Sequence, residues 1–160
     1  MGPPQEEGHH LDKIINQLFS PLKFISIRDL VPHEMVSIDD VQKMNGLLAN
    51  DQYRLPPIIV DSNSKVIIDG HHRYELIKSK GYEYAPCVLI DYQEPLILAL
   101  KKNIQGEKLD KKKIIEGAIA GKLLPQKFTF HVIKIDEQAI FHLSKFNPKI
   151  DVNLLYEIMK

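Results

Sequence analysis

The sequence predicts a compact mixed α/β domain of the α+β kind, in which helices flank a small mixed sheet. Short apolar runs that are typical of strands alternate with segments of helical spacing along the chain. Two of these runs, 58–61 and 66–69, are separated by the turn-forming residues Ser62, Asn63 and Ser64, which indicates a β-hairpin. A hairpin among alternating strands and helices favours this fold class.

Each predicted element corresponds to one apolar or periodic run. The predicted strands are 24–27, 58–61, 66–69, 85–92 and 129–135. The predicted helices are 11–19, 37–50, 71–81, 110–121 and 152–159. Segment 95–101 is ambiguous, and we expect a helix there because leucine and alanine have high helix propensity.

Capping and breaking residues delimit these helices. Pro21 ends the first one, because proline lacks the backbone N–H that a helix interior needs. Ser37 can cap the second helix, with Asp40 as a short stand-in for the acid of a capping box. Gly81 ends the third helix and Asp110 caps the next.

The bulk properties are those of an ordinary globular chain. The 160 residues include 21 Lys+Arg and 21 Asp+Glu, so the formal net charge is zero. A general nucleic-acid binder would carry a basic excess, and we interpret the basic run Lys108–Lys113 as a solvated helix start. No apolar stretch is long enough to cross a membrane.

We expect residues 1–20 to form a lead-in with a short helix, and residues 21–160 to form a single domain. The first ten residues are polar and lack the order of a secretory signal, so we expect a cytoplasmic protein, with the nucleus as the alternative. Cys87 is the single cysteine and lies in an apolar run. We expect it to be a small core residue, not a metal ligand.

The stretch Val66–Arg73 predicts an anion-binding corner. A buried strand ends in Asp69 and Gly70, and two histidines and an arginine follow at a helix start. Such a start offers free backbone N–H groups and the positive end of the helix dipole, which attract phosphate. Gly70 allows close approach of a ligand, Arg73 can fork onto phosphate oxygens, and the histidines add donors that titrate near neutral pH. We interpret the stretch as a phosphate or nucleotide cradle.

Asp69 and the two histidines each allow two interpretations. Asp69 could hold a divalent metal beside bound phosphates, or it could cap the following helix. His71 and His72 project about 100° apart on a helix. We therefore expect one ring to contact a ligand while the other packs or faces water.

Two other segments carry groups that suit a site. Lys127, Thr129 and His131 alternate with two phenylalanines, so on a strand their side chains share a face that suits a carboxylate or phosphate. The alternative is a half-exposed edge strand with the phenylalanines inside. Glu34 lies in a loop, and a general base needs a carboxylate within reach of its proton, a geometry that the sequence alone does not supply.

Three segments together resemble a known family. Asp69–Arg73 reads Asp-Gly-His-His-Arg after a strand, the motif found in the free L-serine kinase branch of the ParB/sulfiredoxin-like superfamily. Residues 121–131 resemble a second segment of that branch, Gly-Lys-Leu-Phe-Pro-Pro-Lys-Thr-Thr-Arg-His. Pro32, His33 and Glu34 resemble the Pro-His pair and the catalytic glutamate that follows it.

Other branches of the superfamily resemble this chain less. Sulfiredoxins carry a cysteine just before a His-Arg pair, whereas His71 and His72 stand there and Cys87 is distant. Chromosome-partitioning members use a motif of the Gly-Glu-Arg-Arg type and add a helix-turn-helix domain for DNA. The motif at Asp69–Arg73 and the zero net charge therefore favour the kinase branch.

The resemblance implies transfer of a phosphoryl group from ATP or ADP to the hydroxyl of free L-serine. It implies catalytic roles for Glu34, Asp69 and His72, with Glu34 taking the hydroxyl proton and Asp69 close to Mg²⁺. The implied nucleotide-binding residues are Gly70, His71, His72 and Arg73. The implied substrate-binding residues are Lys127, Thr129 and His131.

The implied partners are L-serine and a nucleotide. We expect no membrane or nucleic-acid partner, and a monomer or a small homo-oligomer. The chain departs from the family where Phe128 and Phe130 replace polar residues, and where the segment after Tyr92 is short. The rival interpretation is therefore a non-catalytic nucleotide-binding regulatory module of the same fold.

Overall fold

The computed structural model describes residues 13–47, 54–103, 106–136, 140–146 and 150–151 of the 160-residue chain. It contains helices interspersed among strands, and its sheets combine parallel and antiparallel pairs, which confirms the predicted mixed α/β class. The helix predicted at 152–159 lies outside the described residues. The proposed division at residue 20 stays a prediction.

The described helices and strands follow the predicted order closely. The helices are α1 (13–18), α2 (Ile38–Leu47), α3 (His71–Ser79) and α4 (Lys111–Ile119), with 3₁₀ turns at Ile27–Asp29 and Leu143–Lys145. The strands are β1 (Lys23–Ser26), β2 (Arg54–Leu55), β3 (Ile58–Asp61), β4 (Ile67–Asp69), β5 (Tyr84–Ile90), β6 (Ile97–Lys101), β7 (Thr129–Lys134), β8 (Ile140–His142) and β9 (Ile150–Asp151). The sequence did not predict β2, β8 and β9.

The central sheet has four strands in the order β1-β5-β3-β4. Strand β3 runs parallel to β5, with Ile59 opposite Val88, while β1 runs antiparallel to β5. Strands β3 and β4 form the predicted antiparallel hairpin. Because β4 lies at the edge of this sheet, its last residue, Asp69, leads directly into α3 at the sheet margin.

A second sheet of three antiparallel strands, β6-β7-β8, corrects the prediction for segment 95–101. That segment is strand β6 and not a helix, since Ile97 pairs with Ile133 and Ala99 pairs with His131. Ile97 and Ala99 are buried and their neighbours are less so, which is the period-two pattern of a strand. Helix propensity is a weak preference of below 1 kcal/mol per residue, and pairing and burial override it here.

Two apolar clusters fill the two faces of the central sheet. Ile59 and Val88 belong to one cluster, and Ile58 and Val60 belong to the other, because successive strand residues face opposite sides. The first cluster includes residues of β6, β7 and α4, and the second includes residues of α3. The predicted core residue Cys87 is fully buried in the second cluster, and burial raises the pKa of its thiol to about 12.

The predicted caps are confirmed at two helix starts. The Ser37 hydroxyl accepts a hydrogen bond from the Asp40 N–H, and the Asp110 carboxylate accepts one from the Lys112 N–H. Lys112 is exposed, as expected for a solvated helix start. Among the described residues, no helix has the length and apolar character needed to span a bilayer.

The pairing of β6 with β7 makes Ile133 a test of the core. Ile133→Ala removes a fully buried side chain, and we expect the free energy of unfolding to fall by about 2–5 kcal/mol. Ile140→Ala is the control, because Ile140 belongs to the same sheet but is half-exposed, and we expect a change within about 0.5 kcal/mol. Urea unfolding of both variants measures the difference, and equal losses would contradict the assigned burial.

Candidate functional site

The turn between β4 and α3 depends on glycine at position 70. Gly70 has φ +105°, a left-handed conformation that is costly for residues with a side chain. A Cβ added there would lie 2.9 Å from Nη2 and 3.0 Å from Nε of Arg73. The Tyr74 N–H is bonded to the Gly70 carbonyl, whereas the first helix N–H groups have no intrahelical acceptor.

Asp69 and Arg73 form an ion pair across this turn. Arg73 Nη2 donates to Asp69 Oδ2 at 2.7 Å, and Nη1 donates to the Pro57 carbonyl at 3.0 Å. The interpretation of Asp69 as a helix cap is wrong, since Gly70 occupies the N-cap position and no side chain caps the helix. The carboxylate instead fixes the guanidinium and neutralises part of its charge.

The segment 31–37 is hydrogen-bonded on both sides, and this places Glu34. One side bonds to the β3–β4 hairpin and the other to residue 124, which precedes β7. The bonds are Val31 N to Lys65 O at 3.0 Å, Ile67 N to Val31 O at 2.8 Å, Leu124 N to His33 O at 2.9 Å and Met35 N to Leu124 O at 2.8 Å. These bonds fix the backbone at Val31, His33 and Met35, and so on both sides of Glu34.

The Glu34 carboxylate is held at one oxygen. Its Oε2 accepts hydrogen bonds from the Thr129 hydroxyl at 2.7 Å and from the Thr129 N–H at 3.2 Å. The side chain is only 10% exposed. No described donor is bonded to Oε1, so one oxygen of a fixed carboxylate is left to accept a proton.

His33, the buried neighbour of Glu34 in the chain, was not predicted as a site residue. Its Nδ1 donates to the Ile67 carbonyl at 2.6 Å, which leaves Nε2 without a proton in the neutral ring. Nε2 lies 3.3 Å from the Thr129 hydroxyl and 3.9 Å from Glu34 Oε2. Because Thr129 has a single hydroxyl proton, the shorter contact assigns that proton to Glu34.

His71 and His72 point to different surroundings, as their adjacency predicts. His71 is buried, its Nε2 accepts from the His33 N–H at 3.0 Å, and its ring packs edge-on against the His33 ring. His72 is more exposed, and its Nε2 accepts from the Ser37 N–H at 3.1 Å. Each ring therefore carries its proton on Nδ1 when neutral.

The predicted face of Lys127, Thr129 and His131 is only partly a strand face. Thr129 and His131 belong to β7, but Lys127 precedes it with φ +56° and is ion-paired to Asp40 at 2.9 Å. Hydrogen bonding from Lys127 lowers the pKa of Asp40. His131 is buried and bonded through Nε2 to the Tyr92 hydroxyl at 2.7 Å.

One cavity of about 400 Å³ collects these groups. Every predicted site residue lines it: Glu34, Asp69, Gly70, His71, His72, Arg73, Lys127, Thr129 and His131. Phe130 also lines it, although strand alternation predicts the opposite face. A larger cavity of about 650 Å³ lies near Phe19 and Phe146, but only one titratable group, Lys145, lines it.

Burial makes the site's imidazoles neutral. Burial lowers the pKa of His33, His71 and His72, and it lowers the pKa of His131 to about 3. The expectation that both corner histidines titrate near neutral pH is wrong for His71, whose pKa burial lowers well below the ordinary value, whereas the pKa of His72 is lowered with its side chain still partly exposed. At pH 7 these rings offer neutral N–H donors rather than positive charge.

The residues of the corner fit a magnesium ion only if it is shared with phosphate. Mg²⁺ beside phosphates needs one or two protein carboxylates, because phosphate and water oxygens fill its other positions. In the described ranges, no group of three or more His, Cys, Asp or Glu side chains is arranged to hold a metal. Asp69 is the corner's carboxylate and one of its oxygens is bonded to Arg73.

Long-range contacts explain what sequence reasoning missed. Asp40 pairs with Lys127, and Lys102 lines the cavity beside the corner. Glu34 and Thr129 are 95 positions apart in the chain. The Pro-His-Glu resemblance could have drawn attention to His33, but no local pattern predicts the other contacts.

No protein-family model matches the sequence. The chain is 44% identical over 71 residues to a ParB-like protein from Sulfolobus acidocaldarius, covering 44% of this chain and 35% of that protein. It is 31% identical over 72 residues to an ATP-dependent L-serine kinase from Desulfurococcus mucosus, covering 42% of this chain and 28% of that kinase. The similarity thus spans about a third of the length of these curated relatives.

Solved structures show the same fold. A free serine kinase in complex with AMP aligns with a TM-score of 0.61 at 13% identity, covering 70% of this chain and 87% of that one. SbnI with a C-terminal truncation from Staphylococcus aureus aligns with a TM-score of 0.56 at 16% identity, covering 86% and 94%. Together with the curated relatives, these alignments confirm the resemblance to the ParB-like and serine kinase proteins.

Gly70→Ala tests the corner. The substitution places a Cβ at positive φ against the Arg73 guanidinium, and we expect the free energy of unfolding to fall by about 1–3 kcal/mol. Gly46→Ala is the matched control, because Gly46 lies in α2 with open space around it, and we expect a gain of about 0.5–1 kcal/mol. Chemical unfolding measures both, and a stabilised Gly70→Ala protein would refute the strained turn.

Proposed function

We propose that the chain is a nucleotide-dependent kinase of free L-serine that forms O-phospho-L-serine. The observation that carries the proposal is that Glu34, fixed by Thr129, lines the same cavity as the corner Asp69–Arg73. A carboxylate base and an anion cradle around a cavity of about 400 Å³ suit phosphoryl transfer to a small alcohol. The 31% sequence identity to an ATP-dependent L-serine kinase, over 42% of this chain, supports the same activity.

The corner would bind the phosphates of the nucleotide. The free N–H groups at the start of α3 would donate to an anion bound at the helix N-terminus, and Arg73 would add a guanidinium. His71 and His72 would add Nδ1–H donors to phosphate oxygens. Lys102 lines the cavity and has no ion pair among the described residues, so it would supply net positive charge.

Glu34 would act as the general base. Its oxygen Oε1 would accept the proton of the serine hydroxyl while the hydroxyl oxygen forms a bond to the terminal phosphorus. The bond from that phosphorus to the bridging oxygen breaks, and the bridging oxygen keeps the electron pair as part of ADP, or of AMP when ADP is the donor. Such a reaction depends on positioning and on charge stabilisation.

The remaining predicted site residues take different roles. Thr129 would orient Glu34, because both of its donors are bonded to that carboxylate. Lys127 would bind the serine carboxylate or the transferred phosphoryl group, and His131 would donate from the cavity wall. A bound Mg²⁺ would neutralise charge on the phosphates, and Asp69 is the residue that would hold it.

Glu34→Gln tests the proposal, because it keeps the hydrogen bonds to Thr129 and removes the base. We expect kcat for phosphoserine formation to fall by about 10²–10⁴-fold while calorimetry shows unchanged nucleotide affinity. The assay contains Mg²⁺, L-serine and either ATP or ADP. Glu116→Gln on the exposed side of α4 is the matched control and should keep full turnover.

Two outcomes would overturn the proposal. Full turnover by the Glu34→Gln protein would remove the general base from the mechanism. Absence of phosphoserine from the wild-type chain with both donors, despite nucleotide binding, would favour the non-catalytic nucleotide-binding module. The non-catalytic module is the second candidate because the sequence similarity covers less than a third of the length of the kinase relatives.

A further inference from the structure

Tyr92 and His131 form a buried pair at the wall of the cavity, which His131 lines and Tyr92 does not. The Tyr92 hydroxyl lies 2.7 Å from His131 Nε2, and the tyrosine is fully buried. Tyr92 follows β5 of the central sheet, and His131 lies on β7 of the second sheet. The hydrogen bond between them therefore links the two sheets at the cavity wall.

The direction of the hydrogen bond follows from which groups can donate. If Nε2–H donated to the tyrosine oxygen, the buried hydroxyl proton would have no acceptor among the described residues, at a considerable cost. If the hydroxyl donates, both atoms are satisfied. Burial also raises the pKa of Tyr92 and keeps His131 neutral, so the hydroxyl keeps its proton and Nε2 keeps its lone pair.

We infer that Tyr92 is a positioning residue that fixes His131 in the Nδ1–H form and presents that donor to the ligand in the cavity. His131 lines the cavity, and Nδ1 has no hydrogen-bond partner among the described residues. Every fully buried side-chain nitrogen or oxygen of the described residues has a hydrogen-bond partner. Since Nδ1 has none, it is not fully buried and is open to the cavity. The identity of the ligand rests on the proposed function, whereas the assignment of the His131 proton to Nδ1 does not.

Tyr92 is itself held at its backbone and at its ring. Its backbone N–H donates to the Asp61 carboxylate at 3.0 Å, and the ammonium of Lys111 lies 5.5 Å from the ring centroid. Lys111 donates to the carbonyls of Glu94 and Ile97, so the cation is fixed as well. A tyrosine fixed in this way can hold the His131 ring in one orientation.

The test is the protonation pattern of the His131 ring, read by long-range ¹H–¹⁵N NMR at pH 7 on the full chain. We expect the wild-type ring to carry its proton on Nδ1 alone. In Tyr92→Phe the ring loses its hydroxyl partner, so we expect both neutral forms and a KM for L-serine raised about tenfold, with a smaller change in kcat. Tyr74→Phe, another buried tyrosine, is the matched control and should change neither.

The outcomes separate this inference from the proposed function. A wild-type ring protonated on Nε2 overturns the inference even if the Tyr92→Phe protein fails to fold. A folded Tyr92→Phe protein in which His131 still carries its proton on Nδ1 alone also overturns it. If the wild-type chain forms no phosphoserine but the ring carries its proton on Nδ1, the proposed function fails and the assignment to Tyr92 stands.

Discussion

The clamped loop 31–37 is the constraint on which the site depends. Hydrogen bonds to the β3–β4 hairpin on one side and to the residue before β7 on the other fix its backbone. Glu34 is thereby brought to Thr129, whose two donors fix the carboxylate. Since α3 begins at the end of the same hairpin, the loop and the corner Asp69–Arg73 share one support. The base and the anion cradle are thus positioned relative to each other by backbone bonds.

The corner could be predicted from the sequence because its parts are local. Asp69, Gly70 and Arg73 lie within five positions, and turn chemistry and helix geometry relate them directly. Strands with clear alternation, such as β7, were predicted for the same reason. The segment that became β6 was not, because its residues favour a helix and only its pairing with β7 makes it a strand.

The other half of the site depends on contacts between distant residues. Glu34 has no local pattern that marks it as a base; a partner 95 positions away supplies the geometry. The pairing of Lys127 with Asp40 and the left-handed backbone at Lys127 also follow from the fold alone. Burial of the imidazoles has the same origin: it lowers the pKa of both corner histidines, and that of His71 well below the ordinary value.

The electrostatics of the cavity follow from these contacts. Arg73 and Lys127 are each paired with an acid, and the imidazoles are neutral, so much of the binding of an anion rests on neutral donors and on Lys102. Neutral donors that are fixed in place bind an anion by orientation and need no reorganisation during a reaction. A crystal structure of the chain with ADP and L-serine tests this account most directly. It predicts the terminal phosphate at the start of α3 and the serine hydroxyl within hydrogen-bond distance of Glu34 Oε1. Phosphates bound elsewhere, with the corner empty, would contradict it.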